Sequence, residues 1–179
     1  MADIKLTNMT FTPYIKYGVI IKAIDSVARR INADYKGSKD VPVILCVLNG
    51  AMMFTSELMK RLKFNCELAT IRLSSYHGTE STGIARKVMG LTAAIKGRRV
   101  LVVEDIIDTG NTIRSLSQIL KEEGASEVKV CTLLLKPAIY EGDIAIDYVA
   151  MEIEPRFIVG FGLDYNELGR NHKDIYVLK

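Results

Sequence analysis

Two runs in this sequence, Val43-Ile44-Leu45-Cys46-Val47-Leu48 and Val100-Leu101-Val102-Val103, are apolar at every position. A strand with one wet face alternates apolar and polar residues, whereas a strand with no polar position must be covered on both sides. That demands helices on each face of a largely parallel sheet. Between Tyr14 and Tyr35 the apolar residues Ile20, Ile24, Val27 and Ile31 step by four, three and four, which makes one stripe of an amphipathic helix. Phe54, Leu58 and Leu62 make a second stripe after the first apolar run. Ile113, Leu116 and Leu120 make a third after the second run, with Gly124 as its stop signal. Residues 65–73 and Glu127 to Leu135 have strand character, as do shorter pieces near 147–151, 157–160 and 175–178. The expected fold is α/β, a mostly parallel central sheet flanked by helices. A small subdomain is expected from the N- and C-terminal segments, formed by the N-terminal helix and the C-terminal strands. The 179 residues contain no repeat, low-complexity stretch or linker, so a single domain over 1–179 is expected.

Composition narrows the function classes. A net charge of +3 is too mild to argue for nucleic acid or a membrane surface. No apolar run approaches the length of a bilayer span. The opening MADIKLTNMTFTP lacks the basic start and apolar stretch of a signal peptide, so the expected location is cytoplasmic. Cys46, Cys66 and Cys131 are scattered without CxxC spacing, which argues against a disulfide framework or a structural zinc site. His77 and His172 leave little for a histidine metal site.

Ligands of open α/β sheets collect at the carboxyl ends of the strands. The strand from Val100 ends there at Glu104-Asp105, followed by Asp108-Thr109-Gly110-Asn111-Thr112 and a helix. Asn49-Gly50 and Lys136 occupy the same edge after other strands. The turn offers backbone N–H groups, threonine hydroxyls and a helix N-terminus, all suited to a phosphate. The carboxylates would repel that phosphate unless they met sugar hydroxyls and a divalent cation. A phosphorylated ribose satisfies these demands together. The plain alternatives are an Asp108 N-cap, a solvated strand end at Glu104-Asp105, a solvated Lys136, and a surface ion pair between Asp164 and Arg170. There is no GxxxxGK[ST] loop.

The whole run VLVVEDIIDTGNTI closely resembles the phosphoribosyl-diphosphate binding signature of the type I phosphoribosyltransferases. CVLNGAMMF at 46–54 resembles that family's first diphosphate loop. RLSSYHGTESTG at 72–83 resembles its flexible lid, with Ser75-Tyr76 as the dipeptide. LLLKP at 133–137 and RFIVGFGLDYNELGR at 156–170 resemble the purine-binding and C-terminal segments of the hypoxanthine-guanine members. The resemblance implies transfer of phosphoribosyl from 5-phosphoribosyl 1-diphosphate to N9 of hypoxanthine or guanine. It assigns the phosphoribosyl site to Glu104, Asp105, Asp108, Thr109, Gly110, Asn111 and Thr112. It assigns the diphosphate site to Asn49, Gly50, Ser75, Tyr76 and Arg170, and the purine site to Lys136, Phe157, Ile158 and Asp164. Asp108 is the implied general base or partner of purine N7. Mg2+ is the implied cofactor, at Glu104 and Asp105 and, through water, at Asp164. The loop from Ser74 to Gly83 is the implied lid over the activated sugar, with His77 as a solvated lid residue. The resemblance also implies a cis peptide at Leu48-Asn49 and a homodimer or homotetramer, without nucleic acid or membrane partners.

Relatives often carry a basic residue where this chain has Asn49, and some carry lysine in place of Asn111. Two other functions stay open on sequence alone. One is a phosphoribosyltransferase for xanthine or another base such as a pyrimidine, against which Lys136 and the Phe157 segment speak in the pyrimidine case. The other is a nucleic-acid-binding regulator that kept the fold, whose expected basic surface is not evident in 24 Lys and Arg against 21 Asp and Glu.

Overall fold

In a computed structural model, residues 2–74, 86–89 and 91–179 are described. In chain order the elements are β1 (Ile4–Leu6), β2 (Met9–Ile15), α1 (Tyr17–Asp34), β3 (Val43–Leu48), α2 (Met52–Met59), β4 (Glu67–Ser74), β5 (Arg86–Met89), β6 (Arg99–Ile107), α3 (Asn111–Glu122), β7 (Glu127–Leu135), β8 (Tyr148–Glu152), β9 (Ile158–Val159) and β10 (Ile175–Leu178). The main sheet has the order β5-β4-β3-β6-β7-β8. Five of these strands run parallel, and β5 pairs antiparallel with β4 at one edge.

The all-apolar runs lie where their composition requires. β3 and β6 are neighbours near the middle of the sheet, with Val43 opposite Val100 and Cys46 opposite Val103. Alternate residues serve opposite faces. Ile44, Leu101 and Val103 join the core beneath α1 and α2. Val43, Leu45, Val100 and Val102 join the core beneath α3. Ile20, Ile24, Val27 and Ile31 of α1 are buried, as are Ile113, Leu116 and Leu120 of α3. The end of α3 is closed by Gly124 N–H to the Lys121 carbonyl and Ala125 N–H to the Leu120 carbonyl, the paired bonds of a Schellman motif. The second helix is shorter than its stripe predicts. It stops at Met59, and Leu62 joins the core from the following turn.

The small subdomain exists, but its composition differs from the expectation. It is an antiparallel sheet of order β1-β2-β10-β9, so N-terminal strands rather than the N-terminal helix supply its first half. α1 begins at Tyr17, not Tyr14, and its buried stripe belongs with Ile44 and Leu101 of the main sheet. Pro13 within β2 lacks a ladder N–H, and the register shifts there against Ile175 and Tyr176. A strand so interrupted carries little periodic signal. α1 also has no cap of its own. Its Tyr17 N–H donates instead to Asp174 Oδ1 at 2.7 Å, across 157 residues of sequence. Cys46, Cys66 and Cys131 are free thiols. No helix among the described residues is long and apolar enough to cross a membrane.

Candidate active site

β6 runs through Ile107, four residues beyond the apolar run, so Glu104 and Asp105 lie within the strand rather than after it. They are not a solvated strand end, since only 7% and 8% of their surfaces remain exposed. Asp105 Oδ1 accepts from the Ile106 N–H at 2.8 Å, whereas Glu104 Oε2 is buried with no hydrogen-bond partner. Burial, with Asp105 and then Asp108 as negative neighbours, pushes the Glu104 carboxyl well above the ordinary range. Asp105 is pushed up to about 6, chiefly by burial, although its backbone hydrogen bonds and the positive charge of Arg170 oppose the shift. The pair therefore binds a proton more readily than exposed carboxyls do. A cation or a set of sugar hydroxyls beside it would favour the ionised pair.

Asp108 and Thr109 are exposed in the turn that follows. Asp108 does not cap α3. Its Oδ1 accepts from the Thr109 N–H at 2.6 Å, and its Oδ2 accepts no hydrogen bond among the described residues. Gly110 is the N-cap residue, at φ 86°, and contributes no side chain. The first N–H groups of α3, at Asn111, Thr112 and Ile113, thus have no intrahelical partner, and an anion fits there.

The turn after β3 meets this edge directly. The Leu48-Asn49 peptide is cis. A Cβ on Gly50 would lie 1.7 Å from Asp105 Oδ2, so only glycine leaves room for the carboxylate. Gly162, at φ 101°, approaches the Gly50 carbonyl so closely that a Cβ would stand 2.0 Å from its oxygen. Arg170 is fastened to the same junction. One of its terminal nitrogens donates to the Gly162 carbonyl at 2.9 Å, and the other pairs with Asp164 at 2.7 Å and Glu167 at 2.9 Å. The ion pair between Asp164 and Arg170 therefore forms, but beside the carboxylates rather than apart from them.

Lys136 follows β7. Its N–H donates to the Ile107 carbonyl at 2.9 Å, and its ammonium makes no hydrogen bond or ion pair among the described residues. Phe157 is 47% exposed, although its ring lies 6.1 Å from Phe11 and edge-on to Tyr165 at 5.9 Å. Ile158 is buried in β9. Pro137 and Ala138, next to Lys136, line one cavity of about 630 Å³ with Glu152 to Arg156, next to Phe157. Ser75, Tyr76 and His77 lie outside the described residues, as does the expected lid except for Ser74 at the end of β4. Another cavity, about 670 Å³, lies at the amino ends of the strands between Tyr35 and Phe64 and shares none of these residues.

Sequence reasoning missed Phe11, Gly162, Glu167, Arg114 and Tyr140. Gly162 within Gly-Phe-Gly was the one visible hint, since paired glycines permit close backbone approach. Glu167 stands three residues from its partner Arg170, whereas Phe11, Tyr140 and the acids that hold Arg114 meet their partners only across the fold.

Among the described residues no group of three or more His, Cys, Asp and Glu side chains forms a metal cluster. The carboxylate pair nevertheless suits magnesium, which is held by one or two carboxylates together with substrate oxygens. The orphaned Glu104 Oε2 is a hard donor without a partner.

The family model described as phosphoribosyl transferase domain matches residues 16–166, and the chain belongs to that family. Its architecture is the type I phosphoribosyltransferase fold. The particular relatives are narrower. A hypoxanthine-guanine phosphoribosyltransferase of Streptococcus pneumoniae is 40% identical over 92% of this chain and 91% of its own length. One from Lactococcus lactis is 40% identical over 89% and 86%. Among solved structures, a hypoxanthine phosphoribosyltransferase of Staphylococcus aureus superimposes with a TM-score of 0.84 at 35% identity, covering 97% of this chain and 92% of that one.

Proposed function

We propose that this single domain is a purine-salvage enzyme that transfers phosphoribosyl from 5-phosphoribosyl 1-diphosphate to N9 of hypoxanthine or guanine. The observation that carries this reading is the buried Glu104-Asp105 pair directly preceding an uncapped helix N-terminus at Gly110. Carboxylates accept from ribose hydroxyls, while the open N–H groups of Asn111, Thr112 and Ile113 receive the 5-phosphate. Thr109 and Thr112 add hydroxyl donors. The family membership and the 40% identical relatives support the same chemistry.

Lys136 recognises the base. An ammonium only donates, so it favours the 6-oxo group of hypoxanthine and guanine over the 6-amino group of adenine. Phe157 stacks on the purine face, and the backbone at Ile158 meets the ring edge. As N9 bonds to C1 of the sugar, the C1–diphosphate bond breaks, and the purine proton passes to Asp108, whose free Oδ2 faces no competing donor. The sugar carries oxocarbenium character in that step, and the surrounding carboxylates stabilise it. Arg170, Asn49, Gly50, Ser75 and Tyr76 receive the diphosphate. Glu104, Asp105 and, through water, Asp164 would hold magnesium, which offsets charge on the departing diphosphate when bound. The active unit is a cytoplasmic homodimer or homotetramer.

A base-competition assay tests the reading. The purified protein is given magnesium, 5-phosphoribosyl 1-diphosphate and equal hypoxanthine, guanine, xanthine and adenine, and each nucleotide is quantified by chromatography. Inosinate or guanylate is expected, and it should disappear with Asp108→Asn. Adenylate as the main product, or no nucleotide from folded protein, overturns it.

A further inference from the structure

Asn111 is the odd member of the phosphate turn, a neutral amide whose two ends have opposite hydrogen-bonding character. Its orientation is set by Arg114, one turn along α3. Arg114 Nη1 lies 2.6 Å from Asn111 Oδ1. A guanidinium has no acceptor, so only the amide oxygen can meet it, and the amide NH2 is left as a free donor. Arg114 is itself held from the other side. Its Nε meets Asp143 Oδ2 at 2.5 Å and its Nη2 meets Glu141 Oε2 at 2.8 Å. Both acids belong to the segment that follows Lys136. The same segment places the Tyr140 ring against Gly110, where a Cβ would stand 2.7 Å from the ring. The Tyr140 hydroxyl is tied to both the carbonyl and the N–H of Ile144, which fixes the ring at that spot.

We propose that Arg114 is a positioning residue that turns the Asn111 amide so that its NH2 donates to the 5-phosphate, with Asp143 and Glu141 holding the guanidinium in place. The inference rests on the phosphoribosyl-transfer reading. A fork with donors on three nitrogens can bridge three acceptors at once, which a lysine at this position cannot do in a fixed geometry. The arrangement also gives a neutral residue a definite donor direction at a phosphate. Without Arg114 the amide rotates freely, and the NH2-facing orientation must be selected each time the anion binds.

Steady-state kinetics on wild type, Arg114→Ala, Asn111→Ala and the double variant, with 5-phosphoribosyl 1-diphosphate and hypoxanthine varied separately, test this. Arg114→Ala should raise KM for the sugar diphosphate about five- to tenfold, with kcat and the KM for hypoxanthine changing less than about twofold by the same reasoning. In the Asn111→Ala background, the Arg114 substitution should add almost nothing, because its target is gone. Asp143→Asn with Glu141→Gln, which leaves the Arg114 charge in place, should raise the same KM by a smaller factor. An unchanged KM in Arg114→Ala overturns the proposal. So does a full additional effect in the Asn111→Ala background, which would mean that Arg114 acts as a distant charge. Wild type that forms no nucleotide overturns the phosphoribosyl-transfer reading and the proposal with it, whereas active wild type with an indifferent Arg114 overturns the proposal alone.

Discussion

Gly50 and Asp105 occupy space that a single methyl group would contest, since a Cβ at position 50 would sit 1.7 Å from the Asp105 carboxylate oxygen. The turn after β3 and the acidic strand are therefore fitted to each other, and Gly50→Ala must displace one of them. Overpacking of this kind costs about 1–3 kcal/mol of stability. Displacing the carboxylate should lower kcat/KM about a hundredfold. Thermal melts and initial rates on the same preparation check both effects, and an alanine variant with wild-type rates would show that the turn has slack.

Asp105 ties stability to pH. Its folded-state pKa is raised from 3.8 to about 6, so between those values the folded protein binds more protons than the unfolded chain. The stability it contributes is fully present below pH 4 and is lost as pH rises through 6. In magnesium-free buffer, Asp105→Asn removes the burial of an ionised group while keeping an oxygen for the Ile106 N–H. The variant should melt higher than wild type at pH 7.5, by an amount corresponding to about 3 kcal/mol at most, and the gap should close near pH 4. A constant gap across that range would assign the effect to packing instead.

Lys136 stands half-buried with its ammonium unpaired among the described residues, which suits recognition of an incoming carbonyl. Lys136→Ala should lower kcat/KM for hypoxanthine about a hundredfold. It should also narrow the preference over adenine, because the donor that disfavours the 6-amino group is gone. Competition between the two bases gives the ratio directly, and an unaltered ratio would place the selectivity elsewhere.

Asp174 caps a helix that begins 157 residues earlier. Asp174→Ala leaves the Tyr17 N–H without that acceptor and should cost about 1–2 kcal/mol. Asp174→Asn retains an acceptor and should recover most of it. Urea melts of the pair separate capping from loss of bulk, since equal destabilisation by both variants would rule out the cap.

Much of the main sheet was legible because its signals are local. Val43–Leu48 and Val100–Val103 are apolar without interruption, and the stripes of α1 and α3 fall at the buried positions. The turn from Asp108 to Thr112 was legible for the same reason, since one short run carries the strand end, the acids and the helix start. Met9–Ile15 was not, because Pro13 and a register shift break its period and its partner lies near the other terminus. The end of α2 also escaped, since Leu62 keeps the helical spacing but packs from a turn. Arg114 and Tyr140 gave no sign of their roles because Asp143 and Glu141, which hold Arg114, and Gly110, which meets the Tyr140 ring, are distant in the chain.

The order of strands and helices in the main sheet, its doubly covered core and the chemistry available at the turn from Asp108 to Thr112 were thus decided by the sequence itself, through periodicity and through residues adjacent in the chain. Tertiary structure alone decided that Gly50, Asp105, Gly162 and Arg170 converge, that Asp174 closes α1, and that Glu104 and Asp105 hold their protons to unusually high pH. Convergence depends on how distant segments pack, and a carboxyl's affinity for its proton depends on how much water that packing removes. Neither quantity exists until the chain has folded.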